Sequence, residues 1–123
     1  MKIVIRAFRL LLATSFVVAG ANHFVSPELY LGIMPPYLPF PLALVYLSGL
    51  FELLGGVGVL VPRFRKAAGW GLIALLVAFF PVHVYMVAES ERFTAQGIPL
   101  WALYARLPLQ LVLIAWVYWV TQE

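Results

Sequence analysis

Six side chains in this sequence could do chemistry inside an otherwise apolar chain: Asn22, His23, Glu52, His83, Arg106 and Gln110. Each interrupts or ends an apolar run, and an ionised group at the centre of a membrane-spanning helix costs about 2.5–3.5 kcal/mol even on the lenient insertion scale. Such a residue needs a partner. Glu52 and Arg106 offer the obvious ion pair, with Gln110 one helical turn beyond Arg106 on the same face. His83 and His23 add two imidazoles, each able to donate, accept or carry a proton. The set suits recognition of a carbonyl or an anion, with Arg106 and His83 donating hydrogen bonds and Glu52 orienting Arg106 or relaying a proton. Plainer readings stand beside this one. Glu52 with Arg106 could serve only to fix helix register, and His23 could be an interfacial histidine wetted by headgroups.

The elements that must position these residues follow from the apolar runs. Hydrophobic residues make up 64% of the 123-residue chain and charged ones 11%, against roughly 25% charged in soluble domains. A soluble fold of this size could not hide that much apolar surface. The chain therefore reads as a single integral membrane domain. The runs 3–24, 42–61, 67–88 and 99–120 are each long enough to cross a hydrocarbon core of ~30 Å at ~1.5 Å per residue. The expected fold is all-α, an integral membrane four-helix bundle. The first run also has the outline of a signal peptide, with Lys2, Arg6 and Arg9 ahead of it and Ala19-Gly20-Ala21 as a small-residue site. We read it as a span, because Asn22 and His23 at its end belong with the polar set.

The joints carry the punctuation of helix ends. Pro35, Pro36, Pro39 and Pro41 forbid regular helix between Met34 and Pro41. Pro62-Arg63-Phe64-Arg65-Lys66 makes a short basic joint that favours antiparallel neighbours; Glu89 to Gly97, the most polar stretch, links the third span to the fourth, and within it Ser90 to Gln96 reads as a solvated loop. With the N-terminus cytoplasmic, that side receives Lys2, Arg6, Arg9, Arg63, Arg65 and Lys66, and the other side only Arg92. The positive-inside rule places both termini in the cytoplasm. Glu52 then lies ~15 Å and Arg106 ~10 Å below the outer ends of their spans at the helical rise, matching depths that predict their pairing. Ser48, Glu52 and Gly56 share a face of the second span, with Gly49, Gly55 and Gly58 nearby, so a neighbouring helix should approach closely and receive Glu52. Pro81, two residues before His83, should bend or loosen the third span. Tyr30, Tyr37, Trp101, Tyr104, Trp116, Tyr118 and Trp119 fall near span ends, as an aromatic belt requires.

Composition narrows the chemistry further. There are no cysteines, which removes disulfides, thiol nucleophiles and thiolate metal sites. The net charge of +3 comes from only eight Lys and Arg, most of them flanking apolar runs, so they orient the chain and do not bind nucleic acid. Two histidines on two helices could flank a haem, but their unequal depths argue against it, and no other ligand set supports a metal.

Several short motifs, taken in order, carry a family resemblance. Gly20-Ala21-Asn22-His23-Phe24 with Pro27 and Tyr30, Pro36-Tyr37-Leu38-Pro39, Ser48-Gly49 with Glu52 and Gly56, Pro62 with Arg65 and Ala67, Phe80-Pro81, and Arg106-Leu107-Pro108-Leu109-Gln110 together resemble the DoxX family of small four-helix membrane proteins. The resemblance runs from about Gly20 to Trp119. It implies a four-helix bundle of the inner membrane with a polar pocket at Asn22, His23, Glu52, His83, Arg106 and Gln110. It also implies a loose tie to oxidoreduction, as a membrane subunit without thiol chemistry of its own that works with a quinone or a partner redox protein. Distant relatives that look like assembly chaperones or cargo receptors imply an alternative, a non-catalytic anchor that recruits a partner protein. A small transporter is a third reading, disfavoured because one carboxylate in four helices leaves little room for alternating access. The Gly-rich second span would also permit a homo-oligomer.

Overall fold

A computed structural model describes residues 2–122 and contains six helices. They are α1 (Lys2–Val25), α2 (Pro27–Leu31), α3 (Pro41–Leu60), α4 (Arg65–Ala88), α5 (Ser90–Ala95) and α6 (Leu100–Gln122). Four of them, α1, α3, α4 and α6, are long and apolar enough to cross a membrane. Their ends fall within two residues of the limits expected from the apolar runs. The proline positions explain the breaks. Pro41 sits at the first position of α3, where its missing N–H is no loss, and Phe40 before it turns the chain with a positive φ of 49°. Pro81 and Pro108 lie inside α4 and α6, yet both helices continue past them, so the expected loosening at Pro81 does not interrupt α4.

Consecutive long helices run antiparallel. α1 packs on α3, α3 on α4 and α4 on α6, and α6 returns to α1 in the lightest of these contacts. The largest core cluster, with Leu12, Phe16, Val59, Leu72, Leu76, Val117 and Val120, lies toward the end that carries the chain's basic residues. At the opposite end Met86, Phe93 and Leu103 form a smaller one. Phe93 belongs to α5, in the stretch expected to be a solvated loop. That expectation fails because the stretch carries one large apolar side chain, which is completely buried and tethers a short helix to the ends of α4 and α6. The outward faces of the long helices are covered by side chains such as Leu10, Val18, Leu54, Val77 and Leu111, all exposed. On a soluble protein such a surface would be an aggregation site; in lipid it is the expected one.

Glycines set the spacing of α3. Gly49 and Gly56 face α1: a Cβ on Gly49 would lie 2.6 Å from the Cβ of His23, and one on Gly56 would lie 3.0 Å from the Ala13 carbonyl oxygen. Gly20 of α1 answers them, with room for a Cβ only 2.7 Å from the Gly49 carbonyl oxygen. Gly55 and Gly58 face the other way, against Leu72 and Ala68 of α4. One helix thus presents two small-residue faces to two neighbours. Gly49→Leu should destabilise the protein by about 1–3 kcal/mol, the cost of overpacking a close contact. Gly71→Leu, where a side chain meets nothing within 4 Å, should change stability by less than about 0.5 kcal/mol. Denaturant titrations in detergent followed by circular dichroism measure both; equal effects would contradict the packing described.

Candidate functional site

The six polar residues singled out by sequence divide into two sets. The first joins α1, α2 and α3. His23 is held by a 2.8 Å hydrogen bond between its Nδ1 and the Ala19 carbonyl one turn earlier. A carbonyl oxygen can only accept, so Nδ1 carries the proton. The same nitrogen lies 3.3 Å from Glu52 Oε2. Because the N–H is directed at Ala19, this is an electrostatic approach without a hydrogen bond, and Glu52 Oε2 is buried with no hydrogen-bond partner. Tyr30 closes the set from above. Its ring stacks on the imidazole at 3.8 Å between centroids, 15° from parallel, and its hydroxyl accepts a 2.9 Å bond from Asn22 Nδ2. The reversal that brings Tyr30 there is α2, which starts with Pro27 at its first turn. Under that ring His23 is 4% exposed and Glu52 5%, so His23 is a core residue and the wetted interfacial reading does not hold.

The second set joins α4 and α6. Gln110 Nε2 donates to the Leu76 carbonyl at 2.6 Å, and its Oε1 lies 3.1 Å from His83 Nε2. The first bond fixes the amide orientation, since the Leu76 oxygen can only accept. The amide oxygen must then accept from His83, so Nε2 carries the imidazole proton. In the neutral ring Nδ1 is left with a lone pair, and that atom is buried without a partner. Arg106 sits one turn toward the outer end of α6 and donates from Nη1 to the Met86 thioether at 3.3 Å, a weak acceptor for a guanidinium.

The expected Glu52–Arg106 pair does not form. Among the described residues the only acid–base contact within 4.0 Å is that of Glu52 with His23, an ion pair only when the imidazole is protonated. The reason is angular. Glu52 shares the face of α3 that meets α1, on the line of Gly49 and Gly56, whereas Arg106 lies on α6 beside Met86 of α4. Each of α3 and α6 packs against α1 and α4, so the two stand at opposite corners of the four-helix arrangement. Matching depth along two helices does not make two residues neighbours. Tyr30, placed with the aromatic belt by its position, is instead part of the first set. The signal for it was the Ser26-Pro27 helix start, which turns the chain back over Asn22 and His23. Met86 carried no signal. No group of three or more His, Asp or Glu side chains close enough to hold a metal ion occurs among the described residues.

A family model described as a domain of unknown function, DUF8561, matches residues 12–121. The chain belongs to the DUF8561 family. The match takes in both polar sets, all of α3 and α4, α6 to Thr121 and the part of α1 from Leu12 onward. No curated protein and no solved structure matches the chain.

The division into two sets makes a quantitative difference between residue pairs. In double-mutant cycles of stability in detergent, His23→Leu with Glu52→Gln should show a coupling of about 0.5–3 kcal/mol, as contacting residues do. Arg106→Leu with Glu52→Gln should be additive within about 0.5 kcal/mol. Coupling in the second pair and additivity in the first would restore the pairing that depth alone suggested.

Proposed function

We propose that this DUF8561 protein is a multi-pass protein of the cell inner membrane, a four-helix bundle with both termini cytoplasmic, that serves as a redox-associated subunit binding a quinone or a small ligand of similar polarity in its outer half. The resemblance to DoxX supports the redox setting. The positive-inside rule supports the orientation. What supports a ligand site is the buried, unpartnered Nδ1 of His83. A buried acceptor without a partner costs about 1–3 kcal/mol, so this atom is held in readiness at a cost in stability.

The ligand chemistry follows from the tautomer. With Nε2 committed to Gln110, neutral His83 offers Nδ1 as an acceptor, so it receives a hydroxyl and does not donate to a carbonyl. A hydroxyl on an aromatic or enolic ring, as in the reduced form of a quinone, meets this requirement. Arg106, whose Nη1 has only a thioether partner, can donate to the same ligand oxygen or to its opposite face. The residues present therefore fit a quinone in its reduced form. Bound there, it would supply the two-electron redox chemistry that a chain without cysteine lacks. The chain's own contribution is narrower: Gln110 holds the imidazole in one tautomer, His83 accepts the hydroxyl proton, and Arg106 fixes the oxygen. Asn22, His23 and Glu52 belong to a separate element that ties α1 and α2 to α3, and binding does not require them.

Quinone extracted from detergent-purified protein and identified by mass spectrometry tests the ligand class. Titration with a soluble quinol analogue tests the residues. His83→Leu and Arg106→Leu should each weaken binding tenfold or more, and Glu52→Gln should change it less than twofold, in protein whose helical content is unchanged. Affinity unaltered in both His83 and Arg106 variants would remove the ligand reading. A partner protein that still co-purifies with those variants would favour the anchor reading instead.

A further inference from the structure

Two polar contacts between side chains of α4 and α6 form successive rungs across the antiparallel pair. His83 meets Gln110, and three residues on, toward the Ala88 end of α4, Met86 meets Arg106. His83 and Met86 share a face of α4, as Arg106 and Gln110 share one of α6. The rungs are thus ~4.5 Å apart by the helical rise, close enough for one ligand oxygen to lie between His83 and Arg106. The bond from Arg106 Nη1 to the Met86 thioether, 3.3 Å long, is the only hydrogen bond that Arg106 makes among the described residues.

The second rung is chemically unequal. A guanidinium is a strong, charged donor that inside an apolar helix calls for a charged or carbonyl partner. Here it meets a thioether, a weak acceptor without charge. Methionine is also flexible, with three rotatable bonds, so a thioether stays in one place only when it is enclosed. Met86 is completely buried in a cluster with Phe93 and Leu103, which are buried as fully. Phe93 comes from α5 and stands edge-on to Tyr85 at 6.2 Å, and Leu103 lies one turn from Arg106 on the same face of α6. Three helices therefore hold a weak acceptor against a strong donor.

We infer that Met86 is a positioning residue for the ligand site proposed above, and its role rests on that reading: the thioether parks Arg106 Nη1 beside His83 while the site is empty and yields the guanidinium to a ligand oxygen that accepts more strongly than sulfur. An amide oxygen at position 86 would compete with the ligand and keep Arg106 from it. An apolar side chain of similar volume would leave the guanidinium no bond to give up. Met86 thereby also selects among ligands. A quinol oxygen displaces the thioether, whereas a hydrocarbon of the same outline offers the guanidinium no acceptor and leaves it parked. Affinity for a quinol should follow Leu, Met, Gln at this position, tightest first.

The test titrates full-length protein in detergent with tetramethylhydroquinone. Met86→Gln should weaken binding tenfold or more and Met86→Leu should tighten it threefold or more, with helical content unchanged. Norleucine incorporated for methionine in a Met34→Leu background keeps the shape of Met86 without its sulfur and should act as leucine does, which decides the matter even where the glutamine variant fails to fold. The chain has three methionines, so isotope-labelled methionine methyl groups give an NMR spectrum that Met34→Leu and Met86→Leu assign. Tetramethylhydroquinone should move the Met86 resonance toward its position in ligand-free Arg106→Leu, and hexamethylbenzene should not. A folded Met86→Gln variant that binds as tightly as wild type, or weaker binding with leucine or norleucine, overturns the positioning role; the ligand reading then survives if His83→Leu and Arg106→Leu still weaken binding. Absence of tetramethylhydroquinone binding to the wild type, or affinity indifferent to His83→Leu and Arg106→Leu as well, removes both.

Discussion

A carboxyl group half-way along an apolar helix is tolerated only where another helix comes close enough to cover it, and in this protein the approach of α1 to α3 meets that constraint. Gly20, Gly49 and Gly56 remove the side chains that would hold the two backbones apart. With them in place, His23 reaches Glu52 and the two become the most buried ionisable residues of the α1–α3 interface. Cover from one helix is not enough, since the imidazole would still be open on its upper face. The short α2 completes the enclosure by laying Tyr30 flat on the ring, and Asn22 locks the tyrosine hydroxyl. Contacts from three helices converge on two residues. Removing either polar partner leaves the other buried alone, which is costlier than removing both.

The other half of the molecule solves the same problem by a different means. α4 and α6 show no facing glycine pair; the glycine of α4 that meets α6 is Gly69, where an added Cβ would collide with Thr121. Here a single amide spans the gap. Gln110 uses its N–H on the Leu76 carbonyl, whose two lone pairs allow a side-chain bond beside a helical one, and its oxygen on His83. One consequence is asymmetry. The first set is enclosed by stacking and close packing, and its imidazole proton is spent on a local carbonyl. The second has an imidazole oriented from one side only, its remaining nitrogen unmet. That contrast, and not the mere presence of histidine in an apolar helix, separates a structural element from a candidate site.

The sequence made the long helices legible, because uninterrupted apolar runs and prolines leave no other regular structure and mark the ends to within two residues. It also indicated that Glu52 faces a close neighbour, through the spacing of Gly49 and Gly56. Which neighbour was not legible. Depth along a helix is a one-dimensional coordinate, obtained by counting residues, whereas pairing depends on rotation about four axes and on their order around the ring. Apolar residues on every side of a membrane helix erase the amphipathic signal that gives rotation in a soluble protein. Hence Glu52 and Arg106, matched in depth, were expected together and stand apart. Short helices were hidden for another reason. α2 and α5 each seat one aromatic side chain on the long helices, Tyr30 and Phe93, and a single aromatic in a polar or proline-rich stretch has no periodicity to read.

The basic end shows how one set of residues can satisfy two demands. Charge there favours the cytoplasmic side by the positive-inside rule, yet α1 and α4 begin at this end, and cations are unfavourable beside a helix N-terminus. The geometry resolves the conflict across helices. α3 and α6 finish at the same end, each with carbonyl groups that lack an intrahelical donor. Arg65 donates to Val59 of α3, and Arg9 to Val120 of α6, both at 2.8 Å; Gln122 returns a bond from α6 to the Lys66 carbonyl at 3.2 Å. A charge unfavourable to the helix that carries it thus stabilises the end of its antiparallel neighbour. Arginine suits this role better than lysine, because Nε can bond a carbonyl while the terminal nitrogens remain free for water or a phosphate. The basic residues that the positive-inside rule reads for orientation include the ones that fasten α3 to α4 and α1 to α6, and reversing their charge would loosen the helix ends.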